Sequence, residues 1–186
     1  MKNLTAIAAV LMMIFVGLAC TGNETEKANV LVDEANKLIA EGNKNVQDAE
    51  TKGNEFDQKV SGIDGDEDHK KVAEFGDKEL LPLYDKIKDN YQKAGEKFEA
   101  ASKLKVEDKY KEYLELKALE FKKRAEQAEA LKAIPKTLSA SKNEQEYSEK
   151  VTKDVEKAQK LLKEAEELAG KATKIQNENP NIFKKS

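Results

Sequence analysis

An unbroken apolar pattern near the start of the chain does most to constrain the fold. Between residues 28 and 63, small or apolar residues recur at alternating spacings of four and three, with charged and amide residues filling most of the positions between them. A 3.5-residue period kept over about five heptads predicts a long α-helix with a left-handed supercoiled seam against a partner helix. The seam consists of Ala28, Val32, Ala35, Ile39, Gly42, Val46, Ala49, Gly53, Phe56, Val60 and Ile63.

Small side chains make this seam thin. Five of its eleven residues are Ala or Gly, so we expect the neighbouring helix to approach closely. Gly42 and Gly53 each cost about 1 kcal/mol in helix propensity relative to Ala. The pattern therefore predicts that both glycines lie where the partner helix comes close.

Three further helical patterns follow a break at residues 61–68, which read SGIDGDED. Pro82 is predicted to kink or restart the second helix, the third ends near Pro135, and Pro180 lies just past the fourth. The second pattern contains Leu80, Tyr84, Ile87, Tyr91, Ala94, Phe98 and Ala101. The third contains Tyr110, Leu114, Ala118, Phe121, Ala125, Ala128 and Leu131. The fourth contains Tyr147, Val151, Val155, Ala158, Leu162, Ala165, Ala169, Ala172 and Ile175.

The connection between the second and third patterns decides the number of helices. Residues 103–108 contain neither Gly nor Pro, so one continuous helix there, and three helices in all, is the alternative. We favour a tight turn at 104–107, because Val106 can pack as the chain reverses and Asp108 suits a first helical turn. The segment YQKAGEKFEAASKL resembles one helix pair of a tetratricopeptide repeat, but no second copy follows at a 34-residue period.

Composition agrees with long solvated helices. Charged residues make up 37% of the chain and aromatic residues 6%, with no tryptophan. So polar a chain is also typical of disorder, and the sustained periodicity decides for helices. The expected fold is all-α: an elongated antiparallel bundle of four long helices with coiled-coil-like packing.

The N-terminus has the features of an export signal. Lys2 is followed by a stretch from Leu4 to Leu18 that contains no charged residue. About 15 apolar residues are too few to cross a hydrocarbon core that needs roughly 20, so a permanent transmembrane helix is the weaker alternative. Small residues then lead into Cys20, which is the only cysteine of the chain.

The sequence Gly17-Leu18-Ala19-Cys20 resembles the lipobox of bacterial lipoproteins. The resemblance covers residues 1–20 only, and Gly17 stands where the family usually has Leu. It implies that Cys20 becomes the mature N-terminus and carries a diacylglycerol and, in many bacteria, a further acyl group such as palmitate. A secreted protein cleaved near Ala19, with an unpaired thiol, is the alternative. Thr21, in place of the Asp that retains many such proteins at an inner membrane, implies the outer membrane where the organism has one.

The predicted organisation has four parts. Residues 1–19 form the signal peptide, 20–25 the lipidated N-terminus and a short tether, 26–178 the helical bundle, and 179–186 a C-terminal tail. Removing residues 1–19 takes away one basic residue and no acidic one, so the body becomes more acidic than the net charge of −3 of the whole chain. A pI near 5.5 argues against a nucleic-acid partner. The body offers no polybasic patch, so membrane contact should rest on the acyl chains.

One segment has partial calcium-site spacing. Asp64, Asp66 and Asp68 alternate as at the start of an EF-hand loop, but position six is His69 instead of Gly and position twelve is Phe75 instead of Glu. We interpret the segment as an acidic interhelical loop near the positive end of the next helix. A small-ligand or calcium-binding envelope lipoprotein is the alternative function.

The remaining chemistry favours a protein that is not an enzyme and needs no cofactor. His69 is the only histidine, and no Gly-rich phosphate loop occurs. Leu116 and Leu119 lie beside the main stripe of the third helix and are candidates for contact with a partner protein or a second copy, the alternative being packing against two neighbouring helices. The sequence thus predicts a lipid-anchored module of the cell envelope that binds or supports a partner.

Overall fold

The structure, a computed structural model, describes residues 24–142 and 144–183. This part of the chain is helical and contains no strand. The six helices are α1 (Thr25–Ser61), α2 (Asp66–Phe75), α3 (Leu81–Ser102), α4 (Asp108–Leu131), α5 (Ala133–Ser139) and α6 (Glu144–Glu178). A π-helical turn, Gly76–Leu80, joins α2 to α3. Because α2 continues through this turn into α3 and α5 extends α4, the helices form four long arms, and the predicted all-α bundle is confirmed.

The arms pack in sequence order. Helix α3 lies along α1, α4 lies along α3, and α6 lies along α4, and each pair is antiparallel. Short connections favour this order, because the chain reverses directly onto the preceding helix. Ion pairs between neighbouring arms include Glu34–Lys97, Lys88–Glu129 and Lys123–Glu164.

The seam of α1 is buried as the spacing predicts. Seven of its eleven residues are buried, and the other four, Val46, Gly53, Val60 and Ile63, are half-buried. Ile63 lies two residues beyond the end of α1. The buried seam of α1 forms one cluster with the predicted stripes of α3 and α4, in which Phe98 and Phe121 stack at a centroid distance of 5.8 Å.

The two glycines of the seam differ. A Cβ atom on Gly42 would lie 2.6 Å from Cε1 of Tyr91, so this glycine allows the ring of α3 to pack against the α1 backbone. A Cβ atom on Gly53 would have no neighbour within 4 Å. The predicted close approach is confirmed at Gly42 and wrong at Gly53, where a Cβ atom would meet open space.

The turn between α3 and α4 confirms four arms instead of three. Helix α3 ends at Ser102 and α4 begins at Asp108, which brackets the predicted turn at 104–107. Leu104 and Val106 pack against the core as the chain reverses. Asp108 lies in the first turn of α4, where its negative charge complements the helix dipole.

Pro82 restarts the second arm as predicted. It lies in the first turn of α3, immediately after the π-helical turn, whose Leu81 N–H donates to the Gly76 carbonyl. Gly76 is buried, and a Cβ atom there would lie 2.8 Å from Pro135. Pro135 does not end its arm: α4 ends at Leu131, and Pro135 then lies in the first turn of α5, where no backbone donor is required.

Helix α6 packs on α4 through a narrower stripe than the sequence indicates. Leu161 is buried and Leu162 is half-buried, whereas the spacing predicted Leu162 as the member of the apolar stripe of this helix. Adjacent leucines both fit a three-or-four spacing, so periodicity alone could not choose between them. Buried members of the stripe are Tyr147, Ala158, Leu161, Ala165, Ala172 and Ile175; Val151, Val155 and Ala169 are half-buried.

Candidate functional site

Cys20, the predicted lipidation site, lies outside the described residues. The described body begins at Glu24 and enters α1 at Thr25. Three residues separate Cys20 from Glu24, so four Cα–Cα steps join them, and an extended chain spans at most about 3.5 Å per step. The Cα atom of Cys20 therefore lies within about 14 Å of the Cα atom of Glu24.

The beginning of α1 is fixed to the α3–α4 turn. The backbone N–H of Glu24 donates to the Lys105 carbonyl at 2.9 Å, and the Lys105 N–H donates to Oε2 of Glu24 at 3.2 Å. Lys27 lies 3.0 Å from the other carboxylate oxygen. The hydrogen bonds from Lys27 and from the Lys105 backbone lower the pKa of Glu24. Glu24, which lies within the predicted tether of residues 20–25, is thus joined directly to the folded body.

The C-terminal segment reaches the same end of the bundle. Phe183 packs its ring edge-on against Tyr113 at 4.8 Å and Tyr110 at 5.7 Å between centroids. Tyr110 also donates a hydrogen bond to Oδ1 of Asn29 in α1 at 2.8 Å. The beginning of α1, the α3–α4 turn and residues 179–183 therefore form one end of the molecule, here called the N-terminal end.

A second hydroxyl joins α3 to α1. Tyr91 donates to Oδ1 of Asn43 at 2.7 Å. Burial raises the pKa of Tyr91 to about 12 and also raises the pKa of Tyr110. In both cases the neutral phenol is the form that the folded state favours.

The three aspartates of the partial calcium motif do not form a cluster. Asp64 lies in the loop after α1, whereas Asp66 and Asp68 lie in the first turn of α2. Within residues 24–142 and 144–183, no group of three or more His, Cys, Asp or Glu side chains is arranged to hold a metal ion. Asp66 and Asp68 are placed where a helix N-terminus favours negative charge. His69 follows in the same helix, and its Nε2 is buried without a hydrogen-bond partner among the described residues.

A buried ion network on α4 was not predicted from the sequence. Glu120 is 3% exposed, and its carboxylate lies 2.6 Å from Nζ of Lys117 and 2.9 Å from Nε of Arg124. Nζ of Lys117 also lies 4.7 Å from the ring centroid of Phe121. The i−3 and i+4 spacings of this trio recur on exposed helix faces, as in Lys109–Glu112, so spacing alone gives no sign of burial.

The two candidate partner residues lie about one turn apart on α4 and differ in exposure. Leu116 is half-buried, and Leu119 is 49% exposed. Among the described residues, Val30 of α1, at 57%, is the other large apolar side chain that is exposed. Leu119 is therefore available for contact with a partner, while Leu116 packs partly within the bundle.

Two grooves on the described surface have charged linings. One lies between α1 and the start of α3 and is lined in part by Lys52, Lys78 and Glu79. The other lies beside the α1–α2 loop, where the ammonium group of Lys59 lies over the ring of Phe75, 5.2 Å from its centroid. Ligand sites for small molecules are usually apolar hollows with a few polar groups, and these grooves differ from that pattern.

Within residues 24–142 and 144–183, none of the helices has an apolar stretch of the length that a membrane span requires. In comparisons with known proteins, no family model, no curated protein and no solved structure matches this chain.

Proposed function

We propose that this chain is a lipoprotein of the bacterial cell envelope, anchored through acyl groups on Cys20. The observation that carries the proposal is the order of features at the N-terminus. An uncharged apolar stretch, Leu4 to Leu18, leads into Ala19 and the only cysteine, and a helix begins five residues later at Thr25. A lone cysteine cannot form an internal disulfide, and an exported chain gains little from a free thiol, so lipidation better explains the presence of Cys20.

The helical body acts as a non-enzymatic binding or structural module, with no cofactor and no nucleic-acid partner. The pairing of its acidic side chains with nearby lysines supports a non-enzymatic role. Carboxylates on the helix faces pair with lysines three or four positions away, as Glu67 does with Lys71 and Asp89 with Lys93. Such pairs keep long helices soluble and contribute little else.

Placement is the mechanism that we propose. Stable attachment requires more than one acyl chain, because each buried methylene contributes about 0.8 kcal/mol and a single chain binds only marginally. The lipid holds the bundle at a membrane, the outer membrane where the organism has one, while helix faces contact a partner protein or a second copy. Leu119 is the exposed apolar residue of α4 through which we expect such a contact.

Fractionation of a bacterial host that expresses the full chain tests the proposal. We expect the wild-type protein in the membrane fraction and Cys20→Ala in the soluble fraction or retained as an unprocessed precursor. Thr21→Ala is the matched control, because it changes the adjacent residue and keeps the acylated thiol. Recovery of the wild-type protein as a cleaved, soluble product would contradict the anchor and indicate an ordinary secreted bundle.

A further inference from the structure

The tether and the fold together determine which part of the bundle lies nearest the membrane. Cys20 is at most about 14 Å from Glu24, and Glu24 is hydrogen-bonded to Lys105 in the α3–α4 turn. An acylated Cys20 would lie at headgroup level, because its acyl chains enter the hydrocarbon. The α3–α4 turn is then held close to the same headgroups. This step rests on the proposed lipid anchor.

We propose that the N-terminal end of the bundle is a contact surface for lipid headgroups and that the bundle stands upright on it. The surface consists of Glu24, the turn at 103–107 and the segment that ends at Phe183. The α1–α2 loop lies at the opposite end. Because α1 has 37 residues at about 1.5 Å each, that loop lies about 55 Å from the membrane.

The distribution of charge favours this orientation. Lys103, Lys105 and Lys109 are exposed at or beside the turn. Acidic residues at this end, such as Glu107 and Asp108, keep it mixed in charge, so the acyl chains provide the attachment and the lysines suit an anionic surface. The opposite end carries Asp64, Asp66, Glu67 and Asp68 beside Lys70 and Lys71, and an anionic surface repels the negative charge that remains in excess there.

The sides of the bundle offer little to hold it flat on lipid. Among the described residues, the exposed large apolar side chains are Val30 and Leu119, which lie on different helices. A helix that lies in a membrane interface needs a continuous apolar face instead. The faces of α1 and α6 are filled with alternating charges, and the body is acidic overall. Attachment through one end is therefore the arrangement that these surfaces allow.

Single tryptophans can measure the orientation, because the chain has none of its own. We would introduce Lys105→Trp at the turn, Lys44→Trp midway along α1 and Lys70→Trp in α2, all at exposed lysines. Lys103→Trp is a second probe of the turn, in case Lys105→Trp disturbs the fold. Each full chain is expressed in bacteria, checked by circular dichroism and intact mass, and reconstituted in phosphatidylethanolamine–phosphatidylglycerol vesicles that contain a dansyl-labelled lipid.

We expect strong energy transfer to the labelled lipid from the turn, weaker transfer from Lys44→Trp and almost none from Lys70→Trp. Acylated protein with similar transfer from all three positions would overturn the upright orientation while leaving the anchor intact. A sample without acyl mass would contradict the anchor itself, and the orientation would fall with it. The mass spectrum thus separates the two failures.

Discussion

Gly42 and Gly53 lie in the same seam of α1 but have different surroundings. Gly42→Ala would bring a Cβ atom within 2.6 Å of the buried ring of Tyr91, whose hydroxyl also donates a hydrogen bond to Asn43. Overpacking of this kind costs about 1–3 kcal/mol, partly offset by a gain of about 1 kcal/mol in helix propensity. We therefore expect Gly42→Ala to lower the free energy of unfolding, measured by urea denaturation followed by circular dichroism.

Gly53→Ala is the matched control for that measurement. Open space surrounds this position, so only the helix propensity should change, and the free energy of unfolding should rise by about 0.5–1 kcal/mol. Stabilisation by both substitutions would contradict the close packing of Tyr91 against α1.

Glu120 gives a second prediction at the scale of single residues. Glu120→Ala would leave Lys117 and Arg124 largely buried without their shared carboxylate. Removing one partner of a buried ion pair lowers the free energy of unfolding by about 3–5 kcal/mol. Because the two cations are partly exposed, we expect a decrease near the lower value. Glu112→Ala, at an exposed pair with Lys109, should leave the urea midpoint nearly unchanged. Equal midpoints for the two variants would show that burial of Glu120 contributes nothing.

At the scale of helices, periodicity predicted the arms of the bundle and failed where two neighbouring positions were equally apolar. The α1 seam and the stripes of α3 and α4 follow from spacing, because one face of each helix must be apolar. Leu161 and Leu162 could not be distinguished in this way. The burial of Glu120 and the packing of Phe183 on Tyr113 depend on which arms meet, which no local pattern contains.

The α1–α2 loop provides a test of the calcium alternative. Asp64 lies in the loop while Asp66 and Asp68 belong to α2, so they do not provide one set of ligands. We expect no change in the melting temperature at millimolar calcium, and none with a variant that combines Asp64→Asn and Asp66→Asn, beyond a small loss of charge–dipole stabilisation. A calcium-dependent rise that disappears in this variant would instead support a calcium-binding lipoprotein.

At the scale of the whole molecule, the tyrosines link stability to alkaline pH. Burial raises the pKa of Tyr84, Tyr91, Tyr113 and Tyr147 to about 12, whereas an unfolded tyrosine titrates near 10. A raised pKa means that the folded state favours the protonated phenol. The contribution of the buried tyrosines to the free energy of unfolding is therefore complete below about pH 10 and is lost as the pH rises towards about 12.

Tyrosinate absorbance and helicity should therefore change together in this alkaline range. Tyr110→Phe removes a phenol that is hydrogen-bonded to Asn29, so we expect this variant to be less stable than the wild type at neutral pH. It also removes one ionisation that favours the unfolded state at high pH. The difference in the free energy of unfolding between wild type and variant should therefore become smaller as the pH rises. Full tyrosinate formation near pH 10 with the helices intact would contradict the burial of these rings.

The intact mass of the full chain after expression in a bacterial host shows most directly whether Cys20 carries lipid. We expect a mature protein that begins at Cys20 and is heavier than its sequence by diacylglycerol and acyl mass, and we expect no such species for Cys20→Ala. An unmodified product cleaved near Ala19 would contradict the anchor, and with it the placement of the bundle at a membrane.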